Sequence, residues 1–222
     1  AVWAFLSSHG GGLVDGDDVE LRVEVDAGAA AMLTTQASTK VYRSPRGCRQ
    51  RVTATVGDAG LLAVLPDPVA CFAGARLDQH VAIDLGDGAS VVLVDAVTAG
   101  RVAHGERWAF ERYRSVLSVS RTFGGTTHEL VHDAIELDPR HGEITARLGR
   151  FDALATVIAI GPQAALGELV RDECFVAVSS PLPEGALVRV AAMSVEHLHR
   201  GLRILLGKIA SLLGDDPFAR KW

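Results

Sequence analysis

Val19-Glu20-Leu21-Arg22-Val23-Glu24-Val25-Asp26 alternates apolar and polar residues, turns at Ala27-Gly28 and continues as the apolar run Ala29 to Thr35. The unit is written twice more. Val52 to Val56 passes through Gly57-Asp58-Ala59-Gly60 into Leu61 to Leu65, and His80 to Leu85 passes through Gly86-Asp87-Gly88 into Ala89 to Ala96. Period-two alternation marks a strand with one buried face, and a continuous apolar run marks a strand buried on both. Recurrence at roughly thirty residues is the range of stacked repeat architectures. The pattern predicts a mainly β protein of stacked antiparallel β-hairpin layers, either β-helix-like or a sandwich.

Beyond the repeats, Arg112 to Ser120 and His128 to Leu137 continue the strand character around a Phe123-Gly124-Gly125 turn. Cys174 to Val178 and Ala186 to Ala191 read as two more strands. Two helices are expected in the C-terminal third. Gln163 to Glu173 carries Leu166, Leu169 and Val170 at helical spacing. Ser194 to Leu213 carries Leu198, Leu202, Leu205, Leu206, Ile209 and Leu213, with Ser194 as N-cap and Gly214 and Pro217 as the stop. No low-complexity linker divides the chain, so one domain is expected over residues 1–222.

Composition narrows the function classes. A chain of 222 residues buries a core without disulfides or metal staples, and 48% apolar with 22% charged residues is ordinary for a globular protein. The net charge of −5 lacks the basic field of a nucleic-acid or anionic-membrane binder. Cys48, Cys71 and Cys174 are too dispersed for a redox pair or a zinc knuckle, which suits reduced thiols and the cytoplasm. The longest apolar stretch, Ala153 to Ile160, is far short of the ~20 residues of a membrane span, and no charged leader opens the sequence.

The sharpest catalytic pattern is His128-Glu129-Leu130-Val131-His132, the H-E-x-x-H of zinc hydrolases. It needs a helix to bring both imidazoles to one metal. The flanking residues alternate as a strand, with Leu130, His132 and Ala134 on one face and Val131, Asp133, Ile135 and Leu137 on the other. On a strand the histidines would stand about 13 Å apart. A zinc-dependent hydrolase built on His128, Glu129 and His132 is therefore the alternative reading. His9-Gly10-Gly11-Gly12 is similar to an oxyanion loop but no nucleophile elbow follows it, and Gly201 with Gly207-Lys208 lies inside a helix rather than a phosphate loop. More informative are carboxylates on apolar strands: Asp95 within Val91 to Val97, and Asp133 among Val131, Ile135 and Leu137. Each must pair, hydrogen-bond or meet a cation if buried.

Several stretches in order resemble the urease accessory protein UreD (UreH) family. Gly11-Gly12-Leu13-Val14-Asp15-Gly16-Asp17 is similar to its G-G-x-V-G-G-D, and Thr34 to Ser44 to its T-T-P-G-A-[ST]-K-F-Y-R-S. Leu65-Pro66-Asp67-Pro68, Gly74-Ala75-Arg76-Leu77, and Asp95 with Gly100-Arg101 and Gly105-Glu106 follow in family order, and Arg220-Lys221-Trp222 is similar to its closing P-R-x-W. His9-Gly10 replace a Pro-Pro, Gln36-Ala37 a Pro-Gly, and Val94 a Trp; the family's opening strands precede the first residue here.

The resemblance implies a stacked β-fold with two helices that acts as a scaffold and not as an enzyme. It would bind apo-urease and UreF, which recruits the GTPase UreG, so that nickel reaches the urease active site. It implies no tightly bound cofactor and only transient Ni²⁺. Carried over residue by residue, a polar nickel route would include Asp17, Thr39, Asp95 and Asp133. Hard carboxylate oxygens would hold Ni²⁺ weakly enough to release it, whereas clustered imidazoles and thiolates would trap it.

Overall fold

The computed structural model describes residues 1–219, so the Arg220-Lys221-Trp222 ending lies outside the described residues. Fourteen strands form two facing sheets among these residues. In chain order they are β1 (Val2–Leu6), β2 (Asp18–Val25), β3 (Ala30–Thr35), β4 (Lys40–Val41), β5 (Cys48–Val56), β6 (Leu61–Val64) and β7 (Val69–Cys71). There follow β8 (Arg76–Leu85), β9 (Ser90–Thr98), β10 (Arg112–Phe123), β11 (Thr126–Leu137), β12 (Ala153–Ile160), β13 (Phe175–Leu182) and β14 (Gly185–Ala192). The five-stranded sheet runs β11-β10-β8-β5-β2, and the nine-stranded sheet runs β1-β3-β6-β9-β12-β14-β13, with β4 and β7 attached beside β9.

Each repeat seen in the sequence is one coil of a stack. Its two arms do not pair with each other as hairpins. The first arm joins the five-stranded sheet, the turn crosses to the other sheet, and each arm pairs in parallel with the same arm of the next coil: β2, β5, β8 and β10 on one side, β1, β3, β6 and β9 on the other. Among the strands described, antiparallel pairing joins β10 to β11 and runs along β9–β12–β14–β13. The expected stacked, mainly β fold is therefore present, with parallel coils in place of antiparallel hairpins.

The turns explain the difference. They stack on one another, with the Gly28 amide donating to the Asp58 carbonyl (2.8 Å) and the Ala59 amide to the Asp87 carbonyl (2.7 Å). A Cβ on Gly57 would stand 2.6 Å from the Ala27 nitrogen, and one on Gly86 2.4 Å from an Asp58 carboxylate oxygen. Glycine recurs because successive corners touch, not because the chain reverses.

Two apolar layers hold the sheets. Between them lie Val52, Val81, Leu93, Leu117, Val131 and Ile158. The outer face of the nine-stranded sheet is covered by two helices, α2 (Val195–Leu205) and α3 (Ile209–Leu213), whose Leu198, Leu202, Leu205 and Ile209 pack on Met32, Val92, Val94 and Val157. Every residue of β9 is consequently buried, which accounts for its nearly unbroken apolar sequence.

The expected Ser194 to Leu213 helix is present but breaks after Leu205, and the Ser194 hydroxyl caps it by accepting the His197 amide. The expected Gln163 to Glu173 helix is absent: the segment runs in irregular extended form with Leu166 and Val170 packed on the helix side of the sheet. Gly167 lies so close to α2 that a Cβ would stand 2.4 Å from the Ile204 carbonyl, and its amide donates to the Leu205 carbonyl (2.6 Å). Apolar spacing there served a docked strap. A short helix, α1 (Ile144–Leu148), lay below the length at which periodicity can be read. No helix among the described residues is long and apolar enough to cross a membrane.

The helix layer depends on close approach at Gly201, where a Cβ would meet the buried Phe175 ring at 2.1 Å. Gly201→Ala is expected to destabilise the fold by about 2 kcal/mol through overpacking despite its better helix propensity, read as a lower midpoint in urea unfolding.

Candidate functional site

Asp95 follows Leu93 and precedes Val97 on the inward face of β9, so its carboxyl enters the space between the sheets. Leu93 belongs to the apolar cluster on one side of it and Val97 to that on the other. A polar layer separates these clusters. Across the nine-stranded sheet, Asp95, Thr156 of β12 and Arg189 of β14 stand in register. Facing them, Gln50, Gln79 and Ser115 stand in register on β5, β8 and β10, with Tyr113 earlier on β10. Asp133 enters from the edge strand β11, opposite Leu117.

The donors converge on Asp95. The Gln79 side-chain amide donates to it at 2.6 Å, and the Tyr113 hydroxyl at 3.1 and 3.2 Å to its two oxygens. Asp95 is only 6% exposed, and burial raises its pKa above the usual carboxylate range. Hydrogen bonds involving Ser115, Tyr113 and Gln79 pull the other way, and the negative charge of Asp133 raises it further. Tyr113 is pushed well above the ordinary phenol value, first by burial and then by the Asp95 charge, so it remains a donor. Asp133 forms an ion pair with Arg189, which also donates to the Thr156 hydroxyl. The second Asp133 oxygen is buried with no hydrogen-bond partner.

An internal cavity of about 50 Å³ abuts Asp95 and Gln79 and is otherwise lined mainly by Leu33, Val52, Leu93 and the residues around Thr35. Leu6 and Thr35 also line a surface pocket of about 510 Å³ whose rim includes Gly12, Thr39 and Lys40. Thr35 is itself held by the buried Asp67: its hydroxyl donates to the carboxylate at 3.1 Å and accepts the Asp67 amide at 2.8 Å. Thr35 thus borders both the Thr39 pocket and the largely apolar cavity beside Asp95, while Asp133 and Arg189 lie at the opposite seam.

Of the residues carried over by resemblance, the fold brings Asp95 and Asp133 together and places Thr39 on the pocket that borders the cavity. Asp17 stands apart, holding its own turn: its carboxylate accepts the Val14 amide at 2.8 Å, and its carbonyl accepts the Arg49 amide. Sequence reading passed over Gln79, Tyr113, Ser115, Thr156 and Arg189, and met Asp67 only within the Leu65 to Pro68 stretch. The signal was a polar residue in the inward phase of a strand, as in Leu77-Asp78-Gln79-His80-Val81.

The H-E-x-x-H residues are not a metal site. They lie on β11, where His128 pairs with Arg121 and His132 with Ser118 across a bulge, and His128, Glu129 and His132 are all exposed. His132 Nδ1 stands 3.8 Å from the Glu129 carboxylate, but among the described residues no group of three or more His, Cys, Asp or Glu side chains could hold a metal ion. The zinc-hydrolase reading loses the helix on which its geometry rests.

The family described as UreD urease accessory protein matches residues 1–222. The chain belongs to that family. A urease accessory protein UreD from Sorangium cellulosum is 53% identical over 232 residues, covering 100% of this chain and 73% of its own. Another from Anaeromyxobacter is 47% identical, with 98% and 76% covered, and the urease accessory protein D of Arabidopsis thaliana is 31% identical over 256 residues, with 98% and 86% covered. UreD sequences as far apart as bacteria and plants therefore align along nearly all of this chain.

Because the folded Asp95 binds its proton more tightly than the unfolded chain does, the carboxyl's contribution to stability is greatest below the unfolded value of 3.8. It declines as pH rises from there to the raised folded pKa. Asp95→Asn is expected to remove that decline, seen as a flatter dependence of the urea midpoint on pH above about 4.

Proposed function

We propose that this UreD family member is a non-enzymatic scaffold of urease maturation that passes Ni²⁺ along the polar layer between its sheets. It works in the cytoplasm, binds apo-urease and UreF, and meets the GTPase UreG through UreF, so that GTP-dependent assembly delivers nickel to the urease active site. The observation that carries the reading is the buried Asp95 with the half-buried Asp133 near enough to act on its charge, beside a cavity that shares Leu6 and Thr35 with the Thr39 pocket.

The chemistry supports transit over storage. A chain of hydroxyl, amide and carboxyl oxygens offers Ni²⁺ successive weak ligands, and only two carboxylates meet at the centre. Thr39 serves at the pocket rim, Asp95 and Asp133 at the centre, and Asp17 by shaping the turn beside Gly12 and Leu13.

Replacing Asp95 and Asp133 together with Ala is expected to lower the nickel content of urease severalfold in reconstituted activation, measured by metal analysis. Co-purification with urease and UreF should be unchanged. Normal loading by the double variant would rule out the interior route, and failure of the parent chain to co-purify with either partner would rule out the scaffold role.

A further inference from the structure

The Asp133–Arg189 pair closes the polar layer where β11, the edge strand of one sheet, faces β14 of the other. We propose that Arg189 is a displaceable gate: a resident cation that occupies Asp133 in the resting protein and yields it to a divalent cation in passage. The proposal rests on the interior route described above and adds how that route is kept shut.

A second ion pair on the same side provides a contrast. Arg121 binds Glu184 in the β13–β14 turn, and its guanidinium also donates to the Gly86 and Ala89 carbonyls. Its side chain is 10% exposed. That arginine is bolted to backbone. Among the described residues Arg189 holds two side chains, Asp133 and Thr156, and is 41% exposed, while Asp133 is 12% exposed. The mobile partner faces solvent and the fixed carboxylate faces the interior.

Electrostatics couple opening to cargo. If Arg189 swings outward with nothing replacing it, Asp133 is left as an uncompensated buried charge beside Asp95, a strongly unfavourable state. A divalent cation arriving at Asp133 removes that penalty and repels the guanidinium. One Asp133 oxygen, already buried and without a partner, is free to ligate it. Exchange of one cation for another keeps the layer near neutrality, whereas monovalent ions compete poorly with a guanidinium that donates two hydrogen bonds.

The test is equilibrium dialysis of the purified chain against Ni²⁺ alone. Arg189→Gln is expected to bind Ni²⁺ at least about tenfold more tightly than the parent, because a competing charge has left the site, and adding Asp133→Asn should abolish the gain. Should the glutamine variant fail to fold, Arg189→Lys carries the test: its ammonium cannot match both partners, so a smaller gain with the same dependence on Asp133 is expected. Unchanged affinity, or a gain that survives Asp133→Asn, would overturn the gate. If affinity is unchanged while the Asp95/Asp133 double variant still loses nickel loading, the gate fails and the route stands. If affinity rises but loading ignores the double variant, the route fails and the gate with it.

Discussion

The centre of the nine-stranded sheet, β9 above all, is covered on both faces, by the second sheet on one and by two helices on the other, and the rest of the molecule follows from that constraint. A strand with no solvated face has no inexpensive place for a charge, so Val91 to Val97 is apolar except at Asp95. Burying an ionised carboxylate costs several kcal/mol unless donors surround it. Gln79 and Tyr113 come from the opposite sheet to supply them, so this one side chain ties the two sheets at a fixed register.

The same layer interrupts the core. Apolar packing lies on both sides of it, and the polar groups between them form a seam that the hydrophobic effect alone would have filled with leucine and valine. A seam of this kind is a poor way to gain stability, and it leaves one small cavity beside Asp95 in an otherwise close-packed interior. The scaffold and the proposed route are in this sense one feature: the stacked coils give long, straight ladders, and a polar residue at the same register on successive ladders becomes a continuous layer.

Much of the fold was legible because its signals are local. Alternation in Val19 to Asp26, the unbroken run of β9 and glycines at each corner all report burial and turn geometry within a few residues. The strand around His128 was legible for the same reason, and it separated a chance H-E-x-x-H from a metal site. What misled was the pairing of strands, since a Gly/Asp corner between two sheets and a hairpin turn within one have the same residues. Gln163 to Glu173 misled likewise, because apolar spacing fits a docked strap as well as a helix once α2 supplies the surface.

The candidate site divides along the same line. From the residues alone came the mainly β pattern, the family resemblance, and the oddity of Asp95 and Asp133 on apolar strands, since the free energy of burying a carboxylate is a property of one position and its neighbours. Only the tertiary structure decided that these two carboxylates share a layer, that Asp17 serves its own turn, and that Arg189 sits on Asp133. Those facts depend on which ladder faces which across the sandwich, over separations of tens of residues, and no local pattern encodes them.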